Sequence, residues 1–232
     1  MPGFQLPHTT SQVNKAGKVV RYWVERRETD PEKLRHAITV IQDFRAAHAY
    51  PLTKASMGLR SMVKSEGVEP QVSQRLKRLP TILNKLTREP TMSLANMQDI
   101  GGCRAVLPTI DDVYAVAHRR AMRKRTVYTR DYIADPAESG YRGLHVIVDY
   151  DDRRIEAQLR TPAQHDWAVT VEKLGGRIAE DLKSGRGPEE VLALLQVISE
   201  AMALEELGQA VPAELEQEIV RRRALANPYL SR

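Results

Sequence analysis

The sequence predicts an α+β protein: a mixed sheet covered by helices. Three observations predict it. Apolar residues recur at helical spacing toward both ends of the chain, and short alternating runs occupy the middle. Residues 144–150 and 153–160 form a β-hairpin pattern around Asp151-Asp152. Helices, a strand-rich middle and further helices then follow in that order, and a sheet buried under helices satisfies it.

The first thirty residues are polar and basic, with Lys15, Lys18, Arg21, Arg26 and Arg27, and no single helix is delimited within them. Asp30-Pro31-Glu32 starts a helix, with Asp as N-cap and Pro in the first turn. Leu34, Ala37, Ile38, Ile41 and Phe44 give it an apolar stripe, and it should end before Pro51. A second helix is expected over 52–63, closed by Gly67 and Pro70. Residues 71–88 are a basic stretch that Pro80 interrupts. Gly101-Gly102 is expected as a turn, followed by a short buried strand from Cys103 to Leu107. A helix over 111–124 and a strand over 126–130 come next. Asp135-Pro136 and Ser139-Gly140 mark a loop. Pro162 opens a helix to Leu174, which Gly175-Gly176 should break or kink. A Gly-rich link at 185–188 precedes a helix to Leu207, and Pro212 starts a last, strongly amphipathic helix carrying Arg221, Arg222 and Arg223.

The 232 residues fit one domain with decorations, or one domain and a small helical annex. The expected division is a helical N-terminal extension at 1–70, a core at 71–180 and C-terminal helices at 181–232. Aromatics make up 5% of the chain, so aliphatic side chains must fill the core. Cys103 is the one cysteine, which excludes an intrachain disulfide and a Cys-based zinc site. No apolar run is long enough to cross a bilayer, and the first ten residues hold no signal core. A cytoplasmic protein with no membrane partner is the expectation. The net charge of +5 suits anionic partners, or is a merely basic surface.

Strand 153–160 places Ile155, Ala157 and Leu159 on one face and Arg154, Glu156, Gln158 and Arg160 on the other. The polar face is either the solvated side of an edge strand or the floor of a site for a charged ligand. Asp99, before a buried strand, either caps a turn or holds a metal together with Glu156. Magnesium suits such a pair, since it takes one or two carboxylates plus substrate phosphates. Arg75, Lys77 and Lys85 would then meet a polyphosphate; otherwise they are a solvated basic face. Tyr141, on a glycine-flanked loop tip, either stacks on a base or packs down.

Together these residues resemble a family. Arg75-x-Lys77 with Thr81-Ile82-x-x-Lys85 is similar to the RelA/SpoT synthetase motif Arg-x-Lys-x-x-x-Ser-Ile-x-x-Lys. Asp99 followed by Arg104, Arg130-Asp131-Tyr132-Ile133, Gly140-Tyr141-Arg142-Gly143-Leu144-His145 and Glu156-Ala157-Gln158-Leu159-Arg160-Thr161 resemble its further motifs, in the family's order. The resemblance runs on through Gln164-His165-Asp166-Trp167.

The resemblance implies a mixed five-stranded sheet flanked by helices, nucleotidyltransferase-like, with helical N- and C-terminal extensions. It implies an ATP-dependent pyrophosphokinase that moves a pyrophosphate to a ribose 3′-hydroxyl. Arg75, Lys77, Lys85 and Arg104 would bind ATP. Asp99 and Glu156 would hold Mg2+, with Glu156 as a candidate base. Tyr141, His145, Arg130, Gln158 and Arg160 would hold the acceptor, Tyr141 by stacking on its base.

Three departures from the pattern matter. Ala137 stands where the family usually has a phosphate-binding Lys, with Glu138 beside it. Arg130 replaces Lys, and Arg142-Gly143 replaces the common x-Ser. The expected acceptor is GDP or GTP, giving a (p)ppGpp-type alarmone. One alternative is a growth-inhibiting toxin that pyrophosphorylates the 3′-CCA end of tRNA, with an antitoxin partner. Ala137, the basic termini and the pattern Ser11-Gln12-Val13-Asn14-Lys15-Ala16-Gly17 with Arg45-x-x-His48-x-x-Pro51-Leu52 suit that alternative. Another is an inactive module that binds nucleotide or a partner. The last helix would pack on its own domain, or dock a partner or a second copy through Leu215, Ile219 and Val220. About seventy residues precede the motifs, too few for the family's hydrolase domain, so synthesis without hydrolysis is expected.

Overall fold

Five strands form one mixed sheet in the computed structural model, which describes residues 6–121 and 125–231. The strands are β1 (Gln71–Leu76), β2 (Gly101–Val106), β3 (Thr126–Asp131), β4 (Leu144–Tyr150) and β5 (Arg153–Arg160), in the spatial order β1-β2-β5-β4-β3. β2 and β5 are parallel, and the other neighbours are antiparallel. β5 is therefore the central strand, so its polar face is not that of an edge strand. The hairpin between β4 and β5 turns on Asp151 (φ 53°) and Asp152 (φ 57°). Two left-handed residues are what a tight turn with the sheet's own twist requires.

The two faces of the sheet differ in kind. Cys103, Ala105, Val146, Val148, Ile155, Ala157 and Leu159 point to one face and are buried. The helices α3 (Ala49–Ser65) and α5 (Ile110–Ala121) cover that face with Leu52, Leu59, Val113 and Val116. Period-two alternation then sends Arg104, His145, Glu156 and Gln158 to the other face.

A second apolar cluster joins α1 (Thr10–Val24), α2 (Pro31–Ala46) and α4 (Leu79–Arg88) through Val13, Val20, Ile41, Ile82 and Leu86. Thr9 and Gln12 close a capping box on α1, and the Asp30 carboxylate accepts from the Glu32 and Lys33 amides at the start of α2. A third cluster joins α6 (Pro162–Ile178), α7 (Glu189–Glu206) and α8 (Ala213–Leu230) around Trp167, Val171 and Leu194. Among the described residues, no helix is long and apolar enough to cross a membrane.

Several expectations are corrected. The first thirty residues hold α1, whose stripe of Val13, Ala16, Gly17 and Val20 is short and dominated by small residues. The basic stretch holds two elements, β1 and α4; Pro80 lies in the first turn of α4, where its missing N–H costs nothing. The same holds for Pro51 in α3, which begins at Ala49 rather than after the proline. Gly101 and Gly102 are the first residues of β2, because they pair with β1 on one side and with Ile155 and Glu156 on the other. Gly175-Gly176 does not break α6, which ends at Ala179 in the left-handed conformation. There the chain folds back so closely that a Cβ on Gly175 would lie 2.5 Å from the Glu180 carbonyl oxygen. α8 is not strongly amphipathic: Ile219 packs on the third cluster, but Val220 is 70% exposed and Ala226 is the buried residue. The far end of the helix expected over 111–124 lies outside the described residues.

Candidate active site

The polar face of the sheet is the floor of a cleft of about 1110 Å³. Every residue expected to bind ATP, the acceptor or magnesium lines this cleft, except Arg160, which is buried against Tyr141 and Gln158. β1 and α4 form one wall, and loop 132–141 with the end of α6 forms the other.

Asp99 anchors the first wall. It sits in a turn between the 3₁₀ turn Leu94–Asn96 and β2. Lys77 Nζ donates to Asp99 Oδ2 at 2.6 Å, and Lys85 Nζ lies 3.3 Å from both carboxylate oxygens. Burial would raise the Asp99 pKa, but the two ammonium charges outweigh it and hold the carboxyl below its ordinary value. The carboxylate stays ionised and the two lysines stay together. Supports from the N-terminal helices fix this corner. Arg45 Nε donates to the Lys77 carbonyl at 2.7 Å, and the Ala95 amide donates to Asn14 Oδ1 at 2.9 Å. Arg21 donates to the Leu86 carbonyl in the last turn of α4 and to the Met92 carbonyl beyond it. The motif residues Asn14 and Arg45 thus act as supports for the turn and the lysines. Arg75, by contrast, is 66% exposed at the rim, where its guanidinium lies 3.7 Å from Glu172.

Glu156 is the centre of the floor. His145 Nδ1 lies 3.0 Å from its Oε1, and Gln158 Nε2 donates to its Oε2 at 2.6 Å. Tyr141 Oη lies 2.6 Å from His145 Nε2 and accepts from Arg160 Nε at 3.0 Å. Arg160 also donates to Gln158 Oε1 at 2.7 Å. An arginine only donates and a carboxylate only accepts. The five side chains therefore form a ring with two arms, both running from Arg160 to Glu156. One passes through Gln158, the other through the Tyr141 hydroxyl and the His145 imidazole, whose Nδ1–H faces Glu156. Burial would raise Glu156, yet the hydrogen bond and charge of His145, the Gln158 bond and the Lys183 charge bring it down to about 2. Arg104 borders the ring, 3.4 Å from Gln158 and from His165.

Tyr141 is not on an open loop tip. It is 3% exposed, and its ring packs edge-on to Tyr132 and His145. Gly143 makes this possible: at φ 150°, a Cβ there would lie 2.9 Å from the Tyr141 hydroxyl and 3.1 Å from Arg160 Cγ. Arg142 is buried against Glu206 of α7, with a 2.6 Å ion pair. Arg130 faces His145 across the β3–β4 ladder and lies 5.0 Å from the Tyr132 ring centroid. The sequence reading missed Lys183, whose ammonium lies 4.5 Å from the Tyr141 ring centroid. No local pattern marks it, because it sits in an irregular turn.

Comparison with known proteins bears on this geometry. Residues 74–174 match the model described as the region found in RelA / SpoT proteins. The GTP pyrophosphokinase YjbM of Bacillus subtilis is 34% identical over 159 residues, covering 63% of this chain and 73% of that protein. The chain belongs to the RelA/SpoT synthetase family. The YwaC GTP pyrophosphokinase of the same organism is 30% identical over 123 residues, 47% of this synthetase and 59% of that protein. The crystal structure of small alarmone synthetase 1 from Bacillus subtilis, bound to its product pppGpp, superposes with a TM-score of 0.56 at 29% identity. That alignment covers 68% of this synthetase and 90% of that chain. The family is one of pyrophosphokinases, and the five-stranded mixed sheet is the fold that the resemblance implied. The matched region runs from β1 into α6 and leaves Lys183 outside it.

Proposed function

We propose that this synthetase transfers the terminal pyrophosphate of ATP to the 3′-hydroxyl of GDP or GTP. The observation that carries the reading is the pairing of Asp99 and Glu156, two carboxylates kept ionised in one cleft among lysines and arginines. In the reaction the acceptor oxygen bonds to the β-phosphorus, the bond from that phosphorus to the α-phosphate bridging oxygen breaks, and AMP leaves. Such transfer depends on positioning and charge neutralisation rather than on covalent help from the protein. Lys77 and Lys85 would turn from Asp99 to the phosphates of ATP. Arg104 would neutralise charge from the floor.

The donor set fits magnesium in kind. Two ionised carboxylates are available, and among the described residues no cluster of three His, Cys, Asp or Glu side chains forms a complete cage. Substrate phosphates would complete the shell, as magnesium prefers. Bound there by Asp99 and Glu156, the ion would draw charge from the phosphate oxygens. A Glu156 carboxyl near 2 is a weak base. It would accept the acceptor proton only as the 3′-oxygen bonds to phosphorus.

The test offers γ-labelled ATP and magnesium with GDP, GTP and bulk tRNA in competition. Label in a guanine nucleotide supports the reading. Label confined to tRNA overturns it in favour of a translation toxin. Glu156→Gln should lower turnover at least ~100-fold with the fold intact; a variant with unchanged circular dichroism and unchanged turnover would remove Glu156 from the chemistry.

A further inference from the structure

Lys183 sits in the 3₁₀ turn Leu182–Ser184, held from both sides of the cleft. Arg88 of α4 pairs with Asp181 at the start of the turn. Ser139 Oγ donates to the Lys183 carbonyl at 2.9 Å, which ties the turn to loop 136–140. Leu182 is buried and fixes the turn in the third apolar cluster. The backbone position of Lys183 is thus set by the fold.

Its side chain is set differently. Among the described residues, the Lys183 ammonium makes no hydrogen bond and no ion pair; it rests over the Tyr141 ring. Burial and the Arg160 charge push its pKa down to about 7, the direction expected of a cation short of anionic partners. Ala137, Glu138 and Ser139 line the same cleft, so Lys183 lies by the loop that carries no cation of its own. Lys77 and Lys85, by contrast, pair with Asp99 on the opposite wall, where the ATP phosphates would lie.

We propose that Lys183 binds a phosphate of a nucleoside di- or triphosphate acceptor, supplying from the turn after α6 the positive charge that loop 136–140 lacks at Ala137. The proposal rests on the pyrophosphokinase reading above, and it adds a specificity determinant. A base that stacks on the ring face of Tyr141 must displace the ammonium. An acceptor with its own phosphate gives the displaced ammonium a partner, and a bare nucleoside does not. The turn therefore selects phosphorylated acceptors.

Equilibrium binding tests this without turnover. Titrate wild-type protein and Lys183→Met with GDP, with guanosine and with a non-hydrolysable ATP analogue. Wild type should hold GDP more tightly than guanosine. Lys183→Met should weaken GDP about tenfold, as loss of one charged hydrogen bond does. Guanosine should bind it no less tightly, and the ATP analogue unchanged. Adding Ala137→Lys to Lys183→Met should restore the preference for GDP. Equal GDP affinity in wild type and Lys183→Met overturns the proposal. So does a wild type that holds GDP no better than guanosine, or an effect confined to an RNA ending in CCA. Failure of the pyrophosphokinase reading shows separately, as absence of label transfer from ATP to GDP by the wild type.

Discussion

Glu156 receives hydrogen bonds from both arms of the ring that starts at Arg160, and each member holds the next in one orientation. Tyr141→Phe removes one hydroxyl and leaves Arg160 Nε and His145 Nε2 without their partner. An unpaired buried polar group costs about 1–3 kcal/mol. Urea denaturation should show a stability loss of about that size; a midpoint equal to wild type would mean that water repairs the ring. His48 gives a separate, pH-dependent expectation. It is buried, its Nδ1–H donates to the Phe44 carbonyl at 2.7 Å, and burial pushes its pKa from 6.5 to about 4. The unfolded chain therefore binds the proton more readily than the folded one. This contribution is complete above about pH 6.5 and is lost as the pH falls toward 4. Acidification from pH 7 to pH 5 should cost about 2 kcal/mol on this account. His48→Gln should flatten that part of the pH profile in thermal unfolding, and an unchanged profile would assign the acid sensitivity to other groups.

Helices and turns place these groups. α6 ends with a left-handed Ala179, and Glu180 N returns a hydrogen bond to the Gly175 carbonyl at 2.9 Å. That fold-back aims the following turn, and Lys183 with it, into the cleft. Gly175→Ala forces a Cβ against the Glu180 carbonyl, so residues 180–183 must shift. Overpacking of this kind costs about 1–3 kcal/mol. The variant should lower the melting temperature and weaken GDP more than the ATP analogue. An equal loss for both ligands would mean that the whole cleft has moved. On the opposite wall, α1 and α2 support α4 and the Asp99 turn through Asn14, Arg21 and Arg45. Asn14 and Arg45 belong to the patterns that suit the RNA-directed alternative. The fold gives them a structural duty that does not depend on the acceptor.

At the scale of the molecule, each of the three apolar clusters backs an element that lines the cleft: β2 in the first, α4 in the second and α6 in the third. The Arg142–Glu206 pair ties the segment before β4 to the end of α7. Both side chains are nearly buried, and Glu206 also accepts from the Thr161 hydroxyl at the N-cap of α6. Glu206→Ala strands the Arg142 charge next to the site. Breaking a buried pair by removing one partner costs about 3–5 kcal/mol. Chemical denaturation should show a loss of that order, and a loss below ~1 kcal/mol would mean that Arg142 reaches solvent in the variant.

Local signals in the sequence were enough to specify much of this protein. Asp30-Pro31 started α2, Asp151-Asp152 turned the β4–β5 hairpin, and the alternation over 153–160 separated a core face from a polar face. Each of these rests on neighbours in the chain, so composition and spacing carry it. The five motifs likewise named the residues that line the cleft, because the chemistry restricts residue type at each position. Other features depend on contacts between distant segments. β1 is a strand because Arg75 and Leu76 pair with the glycines of β2, not because its own residues alternate cleanly. Tyr141 packs down because Arg160 and Trp167 surround it. Lys183 enters the cleft because a helix end folds back on Gly175. Pairing partners and the space around a side chain are properties of the folded chain, and no local pattern encodes them.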